Sequence, residues 1–321
     1  MLRLLVSRAL FAVPVLILVS MVAFTLLRLA PGDPALLQAG ADAPPEAIEA
    51  MRQKMHLDQS IPVQYLAWAA SAVRGDLGNA YGSGQPVLDL IAHRLPVTVQ
   101  LSLVALLLII VIGVPLGIWS ALRQDKPADQ FVRVGSLVGI SVPNVVIAIF
   151  LVLIFGWWVP GVLPYQGFVR FTDSPLESLQ HSVLPAFALA APQIGLVARL
   201  TRSSMLEILG QDYISAARAM GVRERVVVWK DALRNALLPV VTVLGVITGF
   251  LLGGSVVVES VFGIPGVGRL LIESFGSRDY PVTIGVMMFI AVVFVVVNIV
   301  VDLLYGVINP RIKLGYESRK A

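Results

Sequence analysis

The chain has no cysteine and only three histidines, His56, His93 and His181. The first absence excludes disulfides, thiolate metal sites and cysteine nucleophiles, and leaves the redox compartment undetermined. The second leaves no HExxH pair on which to build a zinc centre. Charge is scarce too: 14% of the 321 residues are Asp, Glu, Lys or Arg, against about 25% in an ordinary soluble domain. With 57% apolar residues, a fold of this size has too little polar surface for water, so the sequence reads as an integral membrane protein. The formal charge of +4 comes without any basic run interleaved with aromatics, so no nucleic-acid partner is expected. The apolar spans also hold few carboxylates, whereas proton- or sodium-coupled carriers need buried carboxylates or broken-helix ion sites. A self-sufficient membrane enzyme would need clustered carboxylates or histidines at a membrane face, and no such cluster is written here. Nor is there an energy source, because GIPGVGR at 263–269 lacks the Lys-Ser/Thr ending of a phosphate-binding loop. It reads as an outer turn before a short helix.

What is present is a set of long apolar runs. The first, Ala9 to Leu27, follows Arg3 and Arg8. It is longer than the apolar part of a secretion signal and has no A-x-A-like site after it, so it reads as an uncleaved span. Further spans are predicted at about 96–121, 131–158, 181–200, 237–258 and 281–304, each near the roughly 20 residues that cross a hydrocarbon core. Residues 30–95 are the longest polar section; short helices are expected after Pro44-Pro45 and over Pro62 to Val73, with an amphipathic turn over Val87 to Arg94. This section has too little apolar material for a core of its own and is expected to pack on the spans. The chain is thus divided into a first span plus outer section at 1–95, a membrane domain at 96–306 and a tail at 307–321. Six spans put both ends on one side, and sixteen of the 24 Lys and Arg fall in the loops of that side. The bias places both termini in the cytoplasm.

The most informative interruption runs from Asp212 to Pro239. Asp212 is placed to cap a helix of about two turns. Gly221 sits where a helix-ending glycine is wanted. After it Val222, Val226, Trp229, Leu233 and Ala236 recur at helical spacing, with Arg223, Lys230 and Arg234 off that face, a pattern suited to a helix lying on a membrane surface. A small-surfaced helix on a short lever is well shaped to enter a partner's groove.

Ser215-Ala216-Ala217, three residues and then Gly221 resemble the EAA loop of the membrane subunits of bacterial ABC importers. Ser215 stands where that loop has glutamate, and Leu238-Pro239 falls about five residues late. The form ARAMG followed by ALRNALLP resembles the dipeptide and oligopeptide branch. LLRLAPGDPA at 26–35, SVPN at 141–144 and VVVESVFGIPGVGRLLIESFGSRDYPV at 256–282 agree with it. The resemblance covers nearly the whole chain. It implies an all-α, six-span type I importer permease fold in the bacterial cytoplasmic membrane. The implied partners are a second homologous permease, two ATPase subunits and an extracytoplasmic solute-binding protein. It implies no cofactor or metal in this chain, ATP and Mg being bound by the ATPases. On this likeness Ser215, Ala216, Ala217, Arg218, Ala219, Gly221 and Arg223 are the residues expected to meet the ATPase. Arg218 and Arg223 can pair with acidic groups there, or Arg223 with a lipid headgroup. The implied cargo is a di- or oligopeptide, with nickel chelates, glutathione or oligosaccharides as the alternatives.

Inside the spans Gly245, Gly249 and Gly253 fall four apart, Gly254 follows, and Gly113/Gly117 and Gly135/Gly139 repeat the spacing. Such stripes let helices approach closely; the reading is either static packing or a helix that slides as the pathway opens. Pro143 and Asn144 interrupt the third span, either as a kink that turns carbonyls toward the pathway or as one satisfied between packed helices. Asp302 is expected to pair with Arg311 or Lys313, and Glu259 to meet water, Arg269 or Arg278.

Overall fold

A computed structural model describes residues 2–29, 33–40, 43–55 and 57–308, apart from some side chains near the two ends. The expected partners of Asp302 lie outside the described residues, as does the side chain of Asp302 itself. The described part is helical, without strands. Helix α1 (Leu2–Leu29) contains Pro14 and continues as one rod. After it come short helices α2 (Pro34–Ala39), α3 (Pro45–Lys54) and α4 (Ile61–Val73). Pro45 opens α3 and Pro62 lies in the first turn of α4, where a missing amide hydrogen costs nothing. Tyr65 and Trp68 of α4 pack on Phe24 of α1, so the polar section leans on the spans as its composition requires.

Among the described residues five helices are long and apolar enough to cross a membrane, and a bent pair makes a sixth crossing if its two helices count as one broken span. Sequence boundaries shift first at the second and third spans. The separate turn expected at Val87 to Arg94 is instead the start of α5 (Val87–Leu108), which runs through Pro96 and a π-turn at Ile109–Gly113 into α6 (Val114–Leu122). The third span is two helices, α7 (Pro127–Ser141) and α8 (Asn144–Leu153), the latter extended by a π-turn at Ile154–Trp158. They are bent by 97°. The cause is local: Val142, before Pro143, is extended at φ −89°, ψ 121°, as the proline ring demands of its predecessor.

Helix α9 (Pro175–Leu209) is the centre of the bundle. At 35 residues it is about 52 Å long, well beyond a hydrocarbon core of about 30 Å. Its buried Ala186, Ala188, Leu189, Ala190, Val197 and Ala198 pack against α5, α6, α7 and α8. Small residues set the approach. A methyl on Gly117 would come 2.5 Å from the Ala198 carbonyl, and one on Gly195 would come 2.6 Å from that of Ser136. Gly113 and Gly139 also face α9, but Gly135 faces open space, so the stripe expected on the third span is half a stripe.

Past α9 come α10 (Asp212–Ala219), α11 (Glu224–Val226), a π-turn at Val227–Ala232 and α12 (Leu233–Gly254). The chain then folds through α13 (Val256–Val261) and α14 (Val267–Gly276) into α15 (Tyr280–Ile308). Gly245, Gly249 and Gly253 all meet α15, at Val301, Phe294 and Ile290 respectively. The spacing read in the sequence is a real contact surface between the fifth and sixth crossings.

Candidate coupling site

The end of α9 delivers the chain to a corner that projects beyond the apolar spans. Gly210 closes α9, Gln211 is extended at φ −76°, ψ 148°, and α10 begins at Asp212. Asp212 is not the cap that its residue type suggested. Gln211 holds that position without a side-chain hydrogen bond, and Asp212 in the first turn acts only through its charge near the positive helix end. The far end of α10 is closed by backbone geometry. Gly221, at φ +79°, donates to the Arg218 carbonyl at 3.0 Å, and Val222 donates to that of Ala217 at 3.1 Å. These two bonds are the pair that a left-handed glycine makes possible.

One side chain pins α10 to the body. Ile214 is fully buried among Ile118, Met205, Val227, Val228 and Ala232. The face opposite is open: Ser215, Ala216, Arg218, Ala219, Gly221 and Arg223 are exposed, while Ala217 is half-buried. Met220 and Tyr213 extend this face at 78% and 47% exposure. Arg218 is already paired within the chain. Its Nε and Nη2 donate to the two oxygens of Glu224 at 3.1 and 2.8 Å, and the hydrogen bond holds the guanidinium pKa above its ordinary value.

The segment after Gly221 departs from the sequence reading. It is not a separate surface helix: α11, the π-turn and α12 form one continuous span from Glu224 to Gly253. Pro239 does not interrupt it, because neighbouring helices in a bundle tolerate a proline in a lipid-buried helix. The wider π-turn rotates the buried face, so Val227, Val228, Ala232 and Ala236 point inward while Val226 and Trp229 stay exposed. Only Ala236 of the five residues expected on one apolar face is fully buried; Val222 and Leu233 pack at its margin.

Beneath this corner lies a network that spacing did not reveal. The buried Asp129 of α7 receives Arg202 of α9 through Nε at 2.6 Å and Nη2 at 2.7 Å. It also accepts from Ser120 Oγ at 2.5 Å and the Asp125 amide at 3.0 Å. The planar fork of arginine matches the carboxylate and ties α6, α7 and α9 together. The acid and the base are 73 residues apart on α7 and α9, a separation that no helical period connects.

The other predicted residues lie elsewhere. Pro143 and Asn144 form the bend between α7 and α8, and the α12 glycines face α15; neither group touches α10. Glu259 of α13 is a correction. It is fully buried and meets neither guanidinium. Thr98 and Ser255 hydroxyls donate to it at 2.8 and 2.7 Å, and so does the backbone amide of Arg269 at 2.9 Å. Arg269 itself turns its side chain to Glu273. Gly266 gives the carboxylate room, since a side chain there would collide with it, and a side chain on Gly268 would collide with the Val256 backbone beside it.

Residues 113–314 match the binding-protein-dependent transport system inner membrane component, and residues 1–102 match its N-terminal component. The chain belongs to this family. A protein of Brucella abortus (strain 2308), provisionally named a peptide transport system permease, is 44% identical over 98% of this chain and 99% of its own length. The glutathione transport system permease of Escherichia coli O6:H1 is 39% identical over 98% and 99%. Among solved structures, a chain of the MetNI methionine ABC transporter in an inward-facing form matches 69% of this chain and 97% of its own, at 19% identity and a TM-score of 0.56. That likeness concerns the fold alone. The chain is a multi-pass membrane component of an ABC importer with the type I permease fold.

Proposed function

We propose that this permease forms half of a translocation pathway for di- or oligopeptides and is driven through α10 by separate ATPase subunits. In this reading it pairs with a second homologous permease. Two ATPases bind ATP and Mg beneath the pair, and an extracytoplasmic binding protein delivers solute from above. Both termini face the cytoplasm, consistent with sixteen of 24 Lys and Arg on that side.

The observation that carries the proposal is the form of α10. Ile214 fixes the helix rigidly to α9 and the 227–232 π-turn, while its other side offers alanine, serine and an exposed methionine to a partner. A push on α10 is thereby passed to the central helix and to the fifth crossing together. ATP-driven closure of the ATPases moves this knob, the pathway opens outward, takes solute and resets after hydrolysis. Because Arg218 is engaged by Glu224, Arg223 is the exposed arginine of the predicted set left to meet an acidic group on the partner.

Peptide cargo is supported by relatives provisionally named for peptide transport in Brucella abortus and Sinorhizobium fredii, the latter 37% identical over 95% of this chain. The glutathione permease of Escherichia coli at 39% identity favours glutathione, itself a tripeptide, as a second reading. The test is uptake into proteoliposomes carrying the complete transporter, with labelled dipeptide, pentapeptide and glutathione offered by the binding protein. Peptide uptake that needs both the ATPases and ATP is expected; uptake by this chain alone would refute the proposal.

A further inference from the structure

A groove of about 720 Å³ lies over α9 between α7 and α12, with Arg133, Ser136, Arg199, Leu200, Ser203 and Val243 on its walls. It sits toward the α10 side of the bundle, since Arg199 comes about 15 Å of helix before Leu209, where α9 ends. Helices α7 and α9 run antiparallel here. A methyl on Gly139 would meet the Ala191 carbonyl at 3.2 Å, one on Gly195 would meet that of Ser136 at 2.6 Å, and Arg202 binds Asp129. That register sets Arg199 level with Val132 and Arg133, so two guanidiniums share one rung of the groove. Both residues are exposed, and neither has a hydrogen bond or ion pair among the described residues. Arg202, the third arginine of the wall, is neutralised by Asp129. No described Asp or Glu lines the groove, so two positive charges stand there with nothing opposite.

Charge and size together select the occupant. Like charges held side by side repel, and ionisable groups on membrane helices are rare and mark functional sites. An oxyanion between the two arginines removes the repulsion, and the guanidinium fork matches the two oxygens of a carboxylate. The volume lies within the roughly 300–1,000 Å³ of small-molecule sites, which leaves room for more than the anionic group. Ser136 and Ser203 offer hydroxyls to amide groups, while Leu200 and Val243 offer apolar wall to side chains. The floor of the groove is α9, the helix to which Ile214 clamps α10, so a ligand here moves with the coupling corner. We infer that this groove is the inner station of the cargo pathway, where Arg133 and Arg199 hold the C-terminal carboxylate of a peptide. The cargo class is then peptides with a free C-terminus, an assignment that rests on the proposed transport of peptides.

The test measures equilibrium binding of radiolabelled trialanine and of trialanine amide to the nucleotide-free membrane complex of permeases and ATPases. Uptake of each into proteoliposomes, with the binding protein added, is the second readout. The wild type should bind the free acid about tenfold or more tighter than the amide, as loss of a charged hydrogen-bonded pair predicts. Arg133→Gln and Arg199→Gln should each weaken the free acid about tenfold and leave the amide within about twofold. Arg133→Lys and Arg199→Lys, which keep the charge but not the fork, should fall between, and read the site even if a glutamine variant fails to fold. No binding by the wild type, equal weakening of acid and amide, or affinities unchanged in all four variants would overturn the assignment. So would loss of co-purified phosphatidylglycerol from the glutamine variants with peptide affinity unchanged, which would give the pair to a lipid phosphate. Wild-type proteoliposomes without ATP-dependent peptide uptake would refute peptide transport, and this site with it; uptake whose acid-to-amide ratio no variant moves would refute the site alone.

Discussion

At the α10 corner an ion pair stands in water, Arg218 with Glu224, and the helix shows its small side chains to the outside. At the corner between α13 and α14, on the opposite side of the bundle in the proposed orientation, Glu259 is sealed in and satisfied by two hydroxyls and a backbone amide. Both corners depend on glycine, for different reasons. Gly221 supplies a left-handed backbone, whereas Gly266 and Gly268 supply empty space. In the proposed reading the exposed corner is the one a partner grips, while the sealed one stays shut. Surface ion pairs are worth about 0.2–1 kcal/mol, so the α10 corner owes its shape to Ile214 and the backbone cap. In the sealed corner three donors converge on one buried carboxylate, and losing it strands all three.

That contrast sets the expected order of damage. Glu259→Ala should be the most severe, about 3–5 kcal/mol, seen as a large drop in the thermal midpoint of the detergent-solubilised chain. A midpoint like the wild type's would mean that the corner tolerates water and is not sealed. Ile214→Ala comes next, costing about 2–4 kcal/mol through the emptied site. Because the loss falls on one short helix, it should appear as faster hydrogen exchange over 212–220 and ATP hydrolysis no longer linked to uptake. Gly221→Val forces a branched side chain into the left-handed region, at about 1–2 kcal/mol, and should weaken ATPase binding without unfolding the spans. Arg218→Gln should change the midpoint least, by under about 1 kcal/mol; an effect as large as that of Ile214→Ala would show that the ion pair, not the isoleucine, holds the corner.

The crossings were legible because a span is a matter of length and composition, both of which residues 96–121 or 281–304 carry on their face. The helix, glycine and exposed arc of 212–221 were legible because Ala, Ser and Gly at those positions act through local backbone preference. What was not legible depended on distant partners or on register. Ile214 is an apolar residue in a polar segment, and its role is visible only once α9 and the π-turn close around it. The π-turn at Val227–Ala232 shifted the apolar face by a residue, which no fixed period of 3.6 anticipates. Asp129 with Arg202, and Thr98 with Glu259, join residues 73 and 161 positions apart, and charge counting by loop assigns each alone. Glu259 in particular reads as a solvated acid just past a span, because its glycines serve space and not turn geometry.

The most direct measurement is on Ala216. Ala217, its neighbour, is half-buried, so a bulky charge there confounds docking with local unfolding, whereas Ala216 is exposed and can change without touching the core. In proteoliposomes carrying the whole transporter, Ala216→Glu should leave the thermal midpoint unchanged and cut peptide uptake per ATP hydrolysed by about tenfold or more, the equivalent of 1.4 kcal/mol of lost coupling. Uptake and hydrolysis linked as in the wild type would contradict the claim that α10 is where the ATPases take hold.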